Sequence, residues 1–78
     1  MISSGQLRGA RALLGLSQGE VATRAGVSVP TVKRAEGDGE IRVSDKATQA
    51  IQRALEAAGV EFTNGGQPGV RLKPGGAV

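Results

Sequence analysis

The chain has no cysteine and no histidine among its 78 residues. The first absence excludes disulfide frameworks and thiolate metal sites. The second excludes an imidazole base, a nucleophilic triad and the common zinc ligand sets. Tryptophan and tyrosine are also missing, and Phe62 is the only aromatic. Bases of a single-stranded nucleic acid would therefore find no stacking platform. No apolar run approaches the ~20 residues of a membrane span. The N-terminus lacks the charged start and apolar stretch of a signal peptide. The glycines do not follow a strand into a helix, as phosphate-cradling and dinucleotide loops require. No paired acids stand in a recognisable frame. The expectation is a cytoplasmic protein that is not an enzyme, has no cofactor and no metal, and touches no membrane.

Hydrophobic residues make up 38% of the chain, and eleven of them are alanine. The core must be thin and built from Ala, Val, Leu and Ile. One small domain fits this length and two do not. Chains this short sit near the lower limit for folding alone, where oligomers are common, so a homodimer is expected. Net charge is +3, but it is unevenly placed. Residues 1–35 carry Arg8, Arg11, Arg24, Lys33 and Arg34 against Glu20 alone. Residues 36–61 carry Arg42, Lys46 and Arg53 against Glu36, Asp38, Glu40, Asp45, Glu56 and Glu61. A polyanion should dock on the first half, with the acidic half turned away.

Capping signals divide the chain into four helices. Ser3, with Gln6 three residues on, caps a helix over about 4–14 that stops at Gly15. Leu7, Ala10 and Leu14 share its inward face, with Leu13 alongside. Ser17-Gln18-Gly19-Glu20 opens a second helix over about 18–25, with Val21, Ala22 and Ala25 inward and Gly26 as its stop. Ser28 caps a third over about 29–36, with Val32 and Ala35 inward. Pro30 is tolerated there because first-turn N–H groups have no intrahelical acceptor. Gly37-Asp38-Gly39 ends it, and residues 40–43 read as an extended linker. Ser44 caps a fourth helix over about 45–58. Its Ala47, Ala50, Ile51, Ala54, Leu55 and Ala58 recur at amphipathic spacing. Residues 60–63 and 69–72 then alternate apolar and polar around a turn-rich 64–68, as in a small hairpin. Residues 73–78 form a tail that is expected to fray. The expected organisation is a helical domain over 1–59, a hairpin extension over 60–72 and a flexible tail over 73–78.

The most informative stretch is 18–36. Two short helices joined by a tight turn make a helix-turn-helix. Its helices cross closely, which suits Ala22. Its turn needs a left-handed backbone, which suits Gly26. Val21, Val27 and Val32 pin the second helix from beneath. Leu16-Ser17-Gln18-Gly19-Glu20-Val21-Ala22-Thr23-Arg24-Ala25-Gly26-Val27-Ser28, continued by Val29-Pro30-Thr31-Val32-Lys33-Arg34-Ala35-Glu36, resembles the helix-turn-helix of the Cro/phage-repressor family, also called the xenobiotic-response-element family. The resemblance covers roughly residues 5–58. It implies an all-α, four- to five-helix DNA-binding fold, to which this chain adds the hairpin. Ala35 departs from the larger aliphatic often found at its position.

The resemblance also implies roles. Gln18 would grip a DNA phosphate from the start of the second helix, a place that suits an anion; otherwise it is an ordinary first-turn polar residue. Ser28, Val29, Pro30, Thr31, Lys33 and Arg34 would occupy or flank the exposed face of a recognition helix. Lys33 is the best base-contact candidate, since lysine can donate to guanine O6 and N7. Thr31 would meet a thymine methyl or a phosphate, and Arg34 a phosphate. Val29 and Pro30 either pack on thymine methyls or shape the helix start. Arg11 and Glu36 match an ion pair that ties the third helix to the first. Arg8, Arg24, Arg42 and Lys46 read as solvated charge before phosphate contacts. The implied function is a transcriptional regulator, most simply a repressor that binds double-stranded DNA as a dimer on a palindromic operator. The alternative is an antitoxin or adaptor that holds a protein partner with the second half of the chain.

Overall fold

The computed structural model describes residues 2–37, 43–63 and 66–74. Most of the linker over 40–43, the Asp38-Gly39 end of the third helix, the Asn64-Gly65 part of the turn and the tail from 75 onward lie outside the described residues, as does Arg42. Among the described residues there are four helices and one hairpin: α1 Ser4–Leu14, α2 Gln18–Ala25, α3 Val29–Ala35, α4 Asp45–Ala57, β1 Val60–Thr63 and β2 Gly69–Leu72.

Each helix begins at a serine in extended conformation whose side chain accepts from the third residue on. At α1 and α2 the capping box closes in both directions, through Gln6 and Glu20. This satisfies two of the donors that a helix start leaves without partners. α3 stops at Ala35 with Glu36 as its cap, and α4 stops at Ala57 with Ala58 as its cap. Both ends fall one residue short of the sequence expectation, within the usual fraying of a last turn.

The core is one cluster: Ile2, Leu7, Ala10, Val21, Ala22, Val32, Ile51, Leu55 and Val60. It contains no aromatic. Phe62 is half-buried and packs against its edge. Leu14 is also half-buried rather than central, and Leu13 is 46% exposed. The 3-4 spacing explains the difference. Leu7 and Ala10 define the buried stripe, and Leu13 lies well round the helix from Leu7 and Leu14. It faces the side of α1 that meets the hairpin.

The hairpin shares this core, because Val60 is part of it. β1 and β2 pair antiparallel with Val60 opposite Leu72, Glu61 opposite Arg71 and Phe62 opposite Val70. Strand alternation puts Val60, Phe62, Val70 and Leu72 on one face and Glu61 and Arg71 on the other. β2 lies along α1. Gln6 donates from Nε2 to the carbonyls of Thr63 at 3.1 Å and Gly69 at 2.9 Å. One turn on, Gly9 approaches Val70. A further turn on, Leu13 and Leu72 line one cleft. Seven helical residues and three strand residues both advance by roughly 10 Å, so helix and strand keep step over three levels.

Candidate nucleic-acid interface

The α2–α3 unit is set by local chemistry first. Gly26 takes φ 71°, and its N–H meets the carbonyls of Ala22 and Thr23. Val27 then donates to Ala22 O at 3.0 Å. A residue with a Cβ would be strained in this left-handed turn, so glycine fixes where α2 ends and α3 departs. Ser28 starts α3 by accepting from Thr31 N at 3.2 Å. The two hydroxyls of Ser28 and Thr31 also lie 2.8 Å apart, and either one can donate.

Packing then fixes which side of α3 is left open. Val32 is fully buried and is its anchor. Val21 and Ala22 of α2 are buried beside it in the same core. Ser28, Val29, Pro30, Lys33 and Arg34 are exposed, and Thr31 is half-buried. Pro30 sits in the first turn, where its missing N–H costs nothing. Lys33 and Arg34 lie in the last turn, where positive charge also suits the helix dipole. Thr31 and Arg34 line a shallow recess with Val43, Ser44 and Ala47. The start of α4 therefore stands beside the middle of α3.

Beneath this exposed face lies a polar brace. Arg11 Nε donates to Glu36 Oε2 at 2.8 Å, and Nη2 donates to Oε1 at 3.1 Å. Arg11 Nη1 donates to Leu16 O at 3.1 Å. One guanidinium thus joins α1, the α1–α2 turn and the end of α3. The carboxylate of Glu36 is 4% exposed and the Arg11 side chain 26%. The hydrogen bonds to Glu36 raise the Arg11 pKa further above its already high value, against a smaller opposing effect of burial. Gln18 joins the same group, its Nε2 donating to Glu36 Oε1 at 3.1 Å. Its place at the first position of α2 suits an anion, but its side chain is turned inward to the brace.

The structure therefore brings Gln18, Arg11 and Glu36 together and sets Ser28, Val29, Pro30, Thr31, Lys33 and Arg34 on and beside one helix. Arg8, Arg24 and Lys46 are exposed, each on a helix other than α3. Three links were not foreseen: the Gln18–Glu36 bond, the Arg11–Leu16 bond and the clamp of Gln6 on the hairpin. A polar residue beside Leu7 on a buried stripe was a usable signal for the last. Nothing in spacing alone signals the first two. Among the described residues no three acidic side chains gather as metal ligands would, and no helix is long and apolar enough to cross a membrane.

A family model described as a helix-turn-helix domain matches residues 4–63. The match takes in all four helices and β1. No curated protein matches the chain.

Proposed function

Since the chain belongs to the helix-turn-helix domain family, a DNA-binding family, we propose that it is a transcriptional regulator of the Cro/phage-repressor type. In this reading it acts as a repressor and binds a palindromic operator as a dimer. The observation that carries the proposal is the arrangement of α3. Its buried anchor, Val32, holds one side down, the far side presents Pro30, Lys33 and Arg34 to solvent, and Ser28 and Val29 are exposed at the helix start.

The chemistry follows from placing that side in a major groove. Lys33 donates to O6 and N7 of a guanine. The Ser28–Thr31 hydroxyl pair offers a donor from either oxygen, because whichever hydroxyl donates within the pair leaves the other's proton free. The apolar surface of Val29 and Pro30 lies against thymine methyls. Arg34 takes a backbone phosphate. Gln18 takes another with the amide groups of the α2 start, and its side chain spends one proton on Glu36 and keeps the second for the phosphate. Arg11 and Glu36 do not touch DNA in this reading; they set the angle of α3.

Selection of preferred sequences from a random DNA library tests the proposal. The expected result is one short motif repeated in inverted orientation, with centres roughly 34 Å apart along the duplex. Binding that shows no preference over competitor DNA and vanishes at moderate salt would overturn it.

A further inference from the structure

Among the described residues Glu36 is the one buried charged residue. Arg11 takes both of its oxygens, and Oε1 also accepts from Gln18 Nε2. The two bonds from Arg11 neutralise the carboxylate and fix its plane. The bond from Gln18 has a different consequence. A carboxylate only accepts, so only the NH2 end of the Gln18 carboxamide can face it. The carbonyl end would meet it acceptor to acceptor. One N–H is therefore committed to Glu36. The second N–H is the sole donor left on that side chain, and the same bond restricts where it points. Gln18 is half-buried and stands at the first position of α2, so a group outside can reach it.

We propose that Glu36 is a positioning residue for DNA: it holds the Gln18 carboxamide with its second N–H ready for a phosphate. The inference rests on the phosphate role given to Gln18 above and adds the residue on which that role depends. A phosphate, like a carboxylate, only accepts, so the one NH2 group bridges two anions. A loose glutamine would do this badly. Its long side chain would have to be immobilised on binding, and its carbonyl would face the phosphate as readily as its amide. The bond to Glu36 removes both faults before DNA arrives. Arg11 is needed for the arrangement to work. A bare carboxylate beside a phosphate contact repels it, whereas the Arg11–Glu36 pair is neutral overall. Glu36 is also the cap of α3. A shift at the end of α3 therefore moves the acceptor that aims Gln18, which ties the phosphate grip of α2 to the seating of α3.

A double-mutant cycle on DNA affinity tests this. The probe is a mixed-sequence duplex at fixed salt, which reads phosphate contacts without base readout. Gln18→Met removes the carboxamide at similar length. Arg11→Met with Glu36→Leu removes the brace and strands no charge. In the wild type, Gln18→Met should weaken binding by about tenfold. In the apolar-brace background its effect should shrink by about two- to tenfold. Arg11→Met with Glu36→Gln returns an uncharged acceptor at 36 and should bring the larger effect back. Equal effects of Gln18→Met in all three backgrounds would overturn the proposal, as would no effect in the wild type. If the apolar brace fails to fold, nuclear magnetic resonance of the wild-type Gln18 side-chain amide takes its place. Without DNA its order parameter should be near the ~0.85 of rigid backbone, unlike that of the exposed Gln49. On adding duplex, one of its two amide protons should shift and the other should stay. Mobility like that of Gln49, or an equal response of both protons, would overturn the proposal. A wild type that shows the coupling but prefers no sequence sinks only the regulator reading. One that prefers its selected sequence but shows no coupling sinks only this inference, and one that binds no duplex sinks both.

Discussion

Gln18 donates to Glu36 Oε1 at 3.1 Å, and the same oxygen receives Arg11 Nη2 at 3.1 Å. The first residue of α2 and a residue of α1 thus converge on the cap of α3. Removing Arg11 would leave the Glu36 carboxylate, 4% exposed, with Gln18 as its remaining partner. Arg11→Ala should therefore cost about 3 kcal/mol of folding stability, the low end for a broken buried pair because Arg11 is partly solvated. The joint replacement Arg11→Met with Glu36→Leu should cost less than Arg11→Ala alone, since no charge is then stranded. Urea unfolding of the three proteins measures this. Equal losses would show that Glu36 does not need its partner.

Readout and folding should separate at Lys33. Its side chain is exposed and lies outside the brace. Lys33→Ala should weaken binding to the selected operator by about 1–3 kcal/mol and leave the thermal midpoint unchanged. Arg34→Ala should behave differently. As a phosphate contact it should weaken operator and competitor DNA alike and lower the salt dependence by about one counterion. Titrations at several salt concentrations distinguish the two. If Lys33→Ala weakens both DNAs equally, Lys33 is not a base contact.

What the sequence makes legible follows from the range of each interaction. Capping boxes, glycine stops and the 3-4 spacing of α4 act over one or two turns, so Ser3, Ser17, Ser28 and Ser44 were visible as helix starts. The helix-turn-helix was visible because Ala22, Gly26 and Val32 answer local demands. Leu13 was misplaced because its neighbour is Leu72, which no local pattern brings near. The second task of Gln6 was hidden for the same reason. Its capping role is local, but its bonds to Thr63 O and Gly69 O depend on how the hairpin folds back. The inward turn of Gln18 depends on where α3 ends in space.

The α2 cap should make part of the stability pH-dependent. The amide of Ser17 donates to Glu20 Oε1 at 2.9 Å. That bond, helped by the Ser17 hydroxyl, holds the Glu20 carboxyl below its ordinary value of 4.5. A carboxyl lowered in the folded state contributes stability that is fully present above the unfolded value, near 4.5. The contribution fades as pH falls through the lower folded value. Glu20→Gln keeps an acceptor at the same place but does not titrate. Thermal midpoints of wild type and Glu20→Gln should therefore converge as pH drops below the ordinary value of 4.5 toward about 3, with the wild type ahead only at the upper end. A constant gap across that range would show that the cap does not depend on charge.

The contact between α1 and β2 makes a sharper prediction at Gly9. A Cβ placed there would lie 3.1 Å from Val70 Cγ1, closer than two carbon atoms pack at rest. Glycine within a helix otherwise costs up to about 1 kcal/mol relative to alanine. The two effects oppose each other at this position. Gly9→Ala should therefore change stability by less than about 0.5 kcal/mol, because the helical gain is spent on pushing Val70 aside. Shortening the obstacle should release that gain. In a Val70→Ala background, Gly9→Ala should stabilise the fold by most of the helical difference, although Val70→Ala alone weakens the hairpin contact. Gly9→Val gains no such relief in the wild type and should loosen β2 from α1, seen as faster hydrogen exchange in 69–72. A double-mutant cycle by urea unfolding reads the coupling directly. Additive effects would mean that the hairpin yields freely at Val70. The three-level seam of Gln6 on Gly69, Gly9 on Val70 and Leu13 beside Leu72 would then be held at its ends rather than along its length.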